Sequence, residues 1–284
     1  ISCSLVGSEM CIRDRNKGKK IVLVSLARAG IPIGILVKRY IKFKYGINVP
    51  HYSISIIRGR GIDDNAMKYL LEKYRPQQIL FVDGWIGKGA ILNELKKDIS
   101  AYEGVSADIA VVADPANVTE LCGTHEDILI PSSCLNSTVS GLISRTFLRD
   151  DIIGRDDFHG AVYYGELTDS DLSYDFIETI EKEFNMENTP DLEKRVESQG
   201  IDEVINIGKN FGIDDINLIK PGIGETTRVL LRRIPWKVLI DERYKGNPQL
   251  EHIVRLAEEK HTPVEYYPLT HYKCCGIIKK LADA

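Results

Sequence analysis

The residues of this chain that are best suited to chemistry follow one short apolar run. Asp83 comes directly after Ile79–Val82, and a glycine-spaced turn leads from it into a helical pattern. A run of this kind predicts a strand buried on both faces of a parallel sheet, and ligands of open α/β sheets bind at the carboxyl ends of such strands. Glycines let the backbone approach a ligand, and the N–H groups at a helix start suit phosphate. We therefore expect a phosphate or nucleotide site in the loop made of Gly84, Gly87, Lys88, Gly89 and Ala90.

The spacing of this loop excludes two common phosphate motifs and resembles a third. The loop is too short for a Walker A motif and lacks the Gly-x-Gly-x-x-Gly string of a dinucleotide fold. It resembles the signature of type I phosphoribosyltransferases, with Asp83 at the first acidic position, Gly84 at the second and Lys88 in place of a hydroxyl residue. The resemblance implies that Asp83 contacts the ribose of a phosphoribosyl pyrophosphate donor and that Mg²⁺ bridges the ribose hydroxyls and the pyrophosphate. No motif predicts a metal bound directly by protein residues.

Arginines follow two further strands of the predicted sheet. Arg28 comes after the apolar run Ile21–Leu26, in a segment that resembles the pyrophosphate loop of the same transferases. Its planar guanidinium can grip phosphate oxygens with two hydrogen bonds, although a surface arginine in a turn would look the same. Arg58 and Arg60 follow the predicted strand Tyr52–Ile57. They either close over a phosphorylated substrate or belong to a solvated loop.

A cysteine offers an alternative chemistry. Cys134 precedes a predicted helix, and helix N-termini favour the reactive thiolate. With His159, or with His125, it could form the thiol–imidazole pair of a cysteine protease, while a packing role is the plain alternative. The cysteines form neither a disulfide framework nor a zinc-ligand spacing, so we expect a reducing, cytoplasmic setting.

The C-terminal part carries a second candidate binding motif, at a predicted helix start that follows Lys220 and Pro221. It resembles the helix start of Pelota and kink-turn RNA-binding proteins, with Gly224 standing where those proteins have Asn. In such proteins N–H groups and cations bind RNA phosphates and side chains contact exposed bases. The residues that the resemblance assigns to RNA are Gly222, Gly224, Glu225, Thr227, Arg228 and Arg232.

The elements that must position these residues alternate between strands and helices. This alternation predicts an α/β fold with a mostly parallel sheet. The resemblances imply that the sheet is of the type I phosphoribosyltransferase-like kind and that a small C-terminal α/β Pelota-like domain follows. Two less regular segments are predicted as a strand over Asp127–Ile130 and a helix over Asn136–Leu148. The expected organisation is an artefactual segment over 1–15 that looks like a translated sequencing adapter, a first domain over 16–187, and a connecting helix plus Pelota-like domain over 188–284 with its core at about 215–284.

Together, the strings around Arg28, Arg58, Asp83, Cys134 and His159 resemble one bacterial family, StiP. That family is named a cysteine protease, yet it is described as a phosphoribosyltransferase-like domain followed by a Pelota RNA-binding domain. Membership would imply a place in tellurite-resistance and stress-response gene clusters. It does not decide between the two chemistries.

Composition narrows the function classes but does not select one. The net charge of −4 predicts no general attraction to nucleic acid, and no apolar run approaches the roughly 18 residues of a membrane helix.

Three hypotheses for the function remain. The first is a magnesium-dependent phosphoribosyltransferase-like enzyme with Asp83 and Arg28 in its site, fused to an RNA-binding module. The second is a thiol protease built on Cys134 and His159, and the third, favoured by Gly84 at the second acidic position, is a non-catalytic nucleotide sensor coupled to RNA.

Overall fold

The first domain is built on one six-stranded sheet with helices packed against it. The computed structural model describes residues 20–135, 137–186 and 197–280 of the 284-residue chain. The strands are β1 Val22–Ala27, β2 His51–Ile57, β3 Gly61–Ile62, β4 Ile79–Trp85, β5 Ile109–Ala113 and β6 Cys122–Thr124. The helices of this domain are α1 Gly30–Tyr45, α2 Asp64–Lys73, α3 Ala90–Ile99, α4 Pro131–Cys134 and α5 Ser173–Glu181.

The strand order β3-β2-β1-β4-β5-β6 creates a crevice between β1 and β4. All neighbours are parallel except the short β3, which pairs antiparallel with β2. The chain passes from β1 to β2 on one side and later to β4 on the other, so connections diverge at this point. Ligands of open α/β sheets bind at such a switch point, outside the carboxyl ends of the strands. The α/β class and the mostly parallel sheet are confirmed.

Apolar packing on both faces explains why these strands form. Side chains of β1 and β4 alternate between two buried clusters, one on each face of the sheet. Phe81 faces the first cluster and Val82 the second, and both are fully buried. A continuous apolar run is therefore needed at β4, as the sequence predicts.

Two predicted elements of the first domain are wrong. The segment Asp127–Ile130 is not a strand, and the sixth strand lies earlier, at Cys122–Thr124. No helix runs through the described residues of 136–148, where the chain forms strand β7, Ile143–Phe147, antiparallel to β8, Gly160–Tyr163. Gly141 and Leu142 have positive φ angles of 66° and 57°, which end any helical path between the serines and this strand.

The second domain packs three helices on a four-stranded sheet. Its strands are β9 Ile219–Pro221, β10 Pro235–Ile240, β11 Val264–Tyr266 and β12 Cys274–Ile278, in the order β11-β10-β12-β9. Its helices are α6 Gly200–Phe211, α7 Ile223–Arg232 and α8 Glu251–Glu259. The sequence predicts helices over Gly222–Arg233 and Pro248–Lys260 and strands over Trp236–Ile240 and Pro263–Tyr267, and these four are confirmed to within a few residues. Helix α6 lies in the connecting region where a helix was expected, while β9 and β12 were not predicted. Short 3₁₀ turns lie at Pro76–Gln78, Gly165–Ser170, Ile216–Leu218, Glu242–Tyr244 and Pro248–Leu250.

Within the described part of the chain, none of the helices combines the length and apolar character needed to cross a membrane. The predicted helix start near Asn188 and the expected artefactual segment lie outside the described residues.

Candidate functional site

Arg28 and Asp83 meet at the crevice between β1 and β4, as the sequence predicts. Asp83 lies in β4 and is half-buried, and its Oδ1 accepts a 2.7 Å hydrogen bond from the Gly84 N–H. Burial raises the pKa of the Asp83 carboxyl to about 7, against the opposing effects of that N–H and of the Arg28 charge. At neutral pH this carboxyl is therefore poised between its neutral and charged forms.

The Arg28 guanidinium is held by three backbone carbonyls. Its Nε donates to Ser144 O at 2.7 Å, and its Nη1 donates to Ser132 O at 3.0 Å and Leu135 O at 2.7 Å. Burial lowers the pKa of Arg28 to about 10, and the positive charges of Arg228 and Arg232 lower it further. These two arginines belong to α7, so side chains of both domains share one electrostatic environment.

The predicted phosphate loop is hydrogen-bonded to the second domain. Lys88 Nζ donates to Ile216 O at 2.5 Å and to Ile219 O at 3.0 Å, and burial lowers its pKa to about 8, with Lys220 adding to the effect. Gly87 O accepts a 2.6 Å hydrogen bond from the Tyr272 hydroxyl. The backbone of the loop and its lysine therefore make interdomain contacts in this structure. Gly89, at φ 82°, precedes α3 with no side chain capping that helix.

The structure gives a reason for Gly84 at the position of the second acid. A Cβ at this residue would lie 2.5 Å from Ser133 Oγ and 3.2 Å from Ile130 Cγ2, so a side chain here would force both of these side chains to move. Strand β4 and helix α4 approach each other closely here, and glycine allows that approach.

The two arginines after β2 do not join Arg28. Arg58 Nη2 donates to Asn217 Oδ1 of the second domain at 3.0 Å, and Arg60 is exposed. Sequence reasoning placed Arg58 and Arg60 at a strand end correctly. It gave no signal that Arg58 would bridge to a residue 159 positions later.

The start of α7 is buried against the first domain. Asp127 Oδ1 accepts the Ile223 N–H at 3.0 Å and its Oδ2 accepts the Lys273 N–H at 2.9 Å. Burial raises the pKa of Asp127 to about 6, although these N–H groups oppose the shift. A Cβ at Gly222 would meet the Trp85 ring at 3.0 Å. Of the six residues assigned to RNA, Gly222, Gly224 and Thr227 are buried, Glu225 pairs with Arg228, and Arg232 is exposed.

Cys134 lies under this same helix and is 1% exposed. Burial raises the pKa of its thiol, while Arg228, Arg232 and a hydrogen bond with Thr227 act in the opposite direction. His159 lies at the same edge of the sheet but is engaged elsewhere: its Nδ1 is 2.9 Å from Ser55 Oγ, and its backbone N–H donates to Asp63. Among the described residues no hydrogen bond joins Cys134 to His159.

A different imidazole is connected to Cys134. Thr227 Oγ1, whose interaction with the Cys134 thiol lowers the pKa of that thiol, donates to Ile223 O at 2.7 Å and lies 2.9 Å from His252 Nε2 of α8. Burial lowers the pKa of His252, with the Arg255 charge adding to the effect, so the ring is neutral at neutral pH. Sequence reasoning missed His252, because neither its position in an amphipathic helix nor its spacing from Cys134 marks it.

A second thiol–imidazole contact lies beside β6. Cys122 Sγ is 3.5 Å from His125 Nε2 and 3.8 Å from His125 Nδ1, and Nδ1 is 2.9 Å from the carbonyl oxygen of Asp114. The three side chains together contain a possible set of metal ligands. The nearly equal distances show that the sulfur lies along the lone pair of neither nitrogen, so this is not a strong thiol–imidazole hydrogen bond.

Comparisons with known proteins agree with the two-domain architecture. Residues 5–181 match the family described as "Tellurite-like stress resistance cysteine protease StiP", and residues 198–280 match the PELOTA RNA binding domain. The chain is 33% identical over 282 residues to the curated "Cysteine protease StiP" of Acinetobacter baylyi. That similarity covers 92% of this chain and 73% of the relative.

Proposed function

The chain belongs to the StiP family of tellurite-like stress resistance cysteine proteases, and from this membership we propose that it is a thiol protease with Cys134 as its nucleophile. The observation that carries the proposal is the path from Cys134 through the Thr227 hydroxyl to His252. A weak nucleophile needs an adjacent base, and here the base acts through one intervening hydroxyl.

The proposed reaction moves one proton along this path. The Thr227 hydroxyl donates to Ile223 O at 2.7 Å in this structure, so it must first turn toward His252 Nε2. The Cys134 thiol then gives its proton to Thr227 Oγ1 as the Thr227 proton passes to His252 Nε2, and the thiolate attacks a peptide carbonyl. A carbon–sulfur bond forms, the peptide C–N bond breaks, and the protonated His252 returns its proton to the leaving amine through Thr227. Water then hydrolyses the thioester. Because the thiol is buried, a substrate must first displace the side chains that cover it.

Covalent labelling tests this assignment. The full chain is treated with a peptidyl vinyl sulfone, and the modified cysteine is identified by mass spectrometry. We expect Cys134 to be labelled in preference to Cys122, Cys274 and Cys275, which are also free and buried. Thr227→Ser keeps the hydroxyl and should keep the labelling rate, whereas Thr227→Val should slow it by about tenfold or more.

Two outcomes would decide against the proposal. If Cys134 is not labelled while the denatured chain is, the thiol is not a nucleophile. If His159→Gln abolishes labelling and His252→Gln does not, the base is His159, as the sequence predicts, and the path through Thr227 is wrong.

A second candidate function is favoured by the position of Asp83 and Arg28 at the switch point of the sheet. Here the domain would bind a phosphoribosyl donor or related nucleotide, with Asp83 on the ribose, Arg28 on pyrophosphate and Mg²⁺ bridging the two. Calorimetry with phosphoribosyl pyrophosphate and Mg²⁺ tests it, and Asp83→Asn should abolish binding. Binding without pyrophosphate release would favour the nucleotide sensor, and no binding to the unmodified chain would exclude both.

The PELOTA domain supports a role in RNA binding. Because the start of α7 is covered, RNA would contact the exposed end of this helix, where Arg232 and Arg233 lie. Arg232→Ala together with Arg233→Ala should weaken RNA binding and reduce its salt dependence. Each RNA phosphate that an arginine neutralises releases counterions, so a protein with fewer arginines releases fewer of them when it binds. Unchanged affinity in this variant would show that RNA binds another face.

A further inference from the structure

The side chains around Cys134 leave an excess of positive charge between the two domains. Arg228 and Arg232 both act electrostatically on Arg28. Glu225 pairs with Arg228, and Asp83 is the other acid that acts on Arg28. The carboxyl of Asp83 is poised between neutral and charged forms, because burial raises its pKa to about 7. Three guanidinium groups thus face little more than one full negative charge.

The hydrogen-bond donors of this cluster are also incompletely used. Arg28 donates its Nε and Nη1 hydrogens to three backbone carbonyls. Among the described residues, its two Nη2 hydrogens have no acceptor. Within the same described set, Arg232 has no hydrogen-bond or ion-pair partner. Arg28 is half-buried, so its unpaired Nη2 hydrogens are costly, because the charge loses water without gaining an acceptor. Arg232 is exposed and keeps all its donors available for a ligand.

Three serine hydroxyls beside these arginines also lack hydrogen-bond partners among the described residues. The hydroxyls of Ser132, Ser133 and Ser137 are buried and have no hydrogen-bond partner in the described part of the chain. Ser132 and Ser137 are 0% exposed and Ser133 is 9% exposed. Ser133 Oγ points at the corner formed by Asp83 and Gly84, and the Ser132 carbonyl holds Arg28. Most buried hydroxyls in proteins are paired, so three unpaired ones in one segment require an explanation.

We propose that Arg28, Arg228 and Arg232, together with the hydroxyls of Ser132, Ser133 and Ser137, form an anion site between the domains that binds the phosphoryl group of a small ligand. A phosphoryl group offers the negative charge that the arginines lack and the acceptor oxygens that their hydrogens and the serine hydroxyls need. It goes beyond the phosphoribosyl candidate, with which it shares Arg28, because two of its three arginines come from the second domain and it needs no Mg²⁺. The buried serines favour a small ligand over an RNA chain.

Titration of the full chain with inorganic pyrophosphate in the presence of EDTA tests the site directly. Arg228→Gln and Arg232→Gln remove charge while keeping a long polar side chain, and each should weaken pyrophosphate binding by about tenfold or more. Ser133→Ala should weaken it several-fold without removing charge. Arg233→Gln is the matched control, because Arg233 is the neighbouring exposed arginine at the end of α7, and it should bind within about twofold of the unmodified chain.

Several results would overturn the proposal. Pyrophosphate that fails to bind at about 10 mM, or binds the double variant Arg228→Gln, Arg232→Gln as well as the unmodified chain, would show that water satisfies the cluster. Competition by an RNA oligomer without a terminal phosphate, but not by a nucleoside monophosphate, would assign the arginines to RNA. Because EDTA removes Mg²⁺, failure of phosphoribosyl pyrophosphate to bind with Mg²⁺ leaves this measurement unaffected. Circular dichroism of each variant checks that the chain remains folded.

Discussion

At the scale of single residues, the candidate site is defined by ionisable side chains whose pKa values differ from their ordinary values. Asp83 and Arg28 could be predicted from the sequence, because an acid and an arginine directly follow apolar runs that become neighbouring strands. Their pKa values could not be, since the desolvation of Asp83 depends on the packing of α4 and α7, which lie far along the chain. His252 was missed for the same reason: its link to Cys134 exists only because α7 places Thr227 between them.

Asp83 makes the stability of the fold depend on pH. Its folded-state pKa of about 7 lies above its ordinary value of 3.8, so the folded chain binds more protons between these values than the unfolded chain. The free energy of unfolding should therefore fall as the pH rises from about 4 to about 7. Asp83→Asn should remove on the order of 1 kcal/mol of this fall, a figure reduced for solvent screening in the cleft.

Urea unfolding at a series of pH values measures this effect. Asp169→Asn is a suitable control, because it removes one carboxylate that is exposed on the surface. A profile of Asp83→Asn that is parallel to that of the unmodified chain would mean that the carboxyl is not desolvated in solution.

At the scale of secondary-structure elements, apolar patterns were informative and polar ones were not. The runs that form β1 and β4 are buried on both faces, so their period and length predict them directly. Strand β7 contains Ser144, Arg145 and Thr146, is only partly buried and pairs with β8 across a long connection. Its sequence therefore lacks the alternation that would separate a strand from a helix.

Two glycines near helix starts should respond differently to substitution. A Cβ at Gly30 would lie 2.4 Å from the backbone oxygen of Val82, which cannot move without disturbing the sheet, whereas a Cβ at Gly224 would make an ordinary 3.8 Å contact with Cys134. We expect Gly30→Ala to destabilise the chain by about 1–3 kcal/mol. Gly224→Ala should be neutral or stabilising by up to about 1 kcal/mol, because alanine favours the helix.

Chemical denaturation of both variants provides the measurement. Equal stability of the two proteins would contradict the close approach of α1 to β4.

At the scale of the whole molecule, the carboxyl edge of the first sheet is an interface between domains. Lys88, Arg58 and Asp127 extend from the first domain to acceptors or donors of the second. The sequence identified the cations as site residues because loops after parallel strands commonly bind ligands. It could not show that the ligand of Lys88 is a pair of backbone carbonyls from the same chain.

Asp127 should control how firmly the domains are joined. Asp127→Ala leaves the N–H groups of Ile223 and Lys273 without their acceptor, and a buried unpaired donor is costly. We expect amide hydrogen exchange at these two positions to become about tenfold faster or more. Glu120→Ala is the control, since Glu120 is an exposed acid outside this contact. If exchange at Ile223 is the same in both variants, Asp127 does not hold the domains together.

The capping of α7 by Asp127 also bears on how the chain can be divided. The PELOTA match begins at residue 198, so a truncated protein cut at that boundary would contain all of α7 but not the carboxylate that accepts the Ile223 N–H. It would also leave the carbonyls of Ile216 and Ile219 without Lys88, and the Tyr272 hydroxyl without Gly87. A fragment made to study RNA binding should therefore keep the first domain, because residues 87, 88 and 127 all supply these contacts.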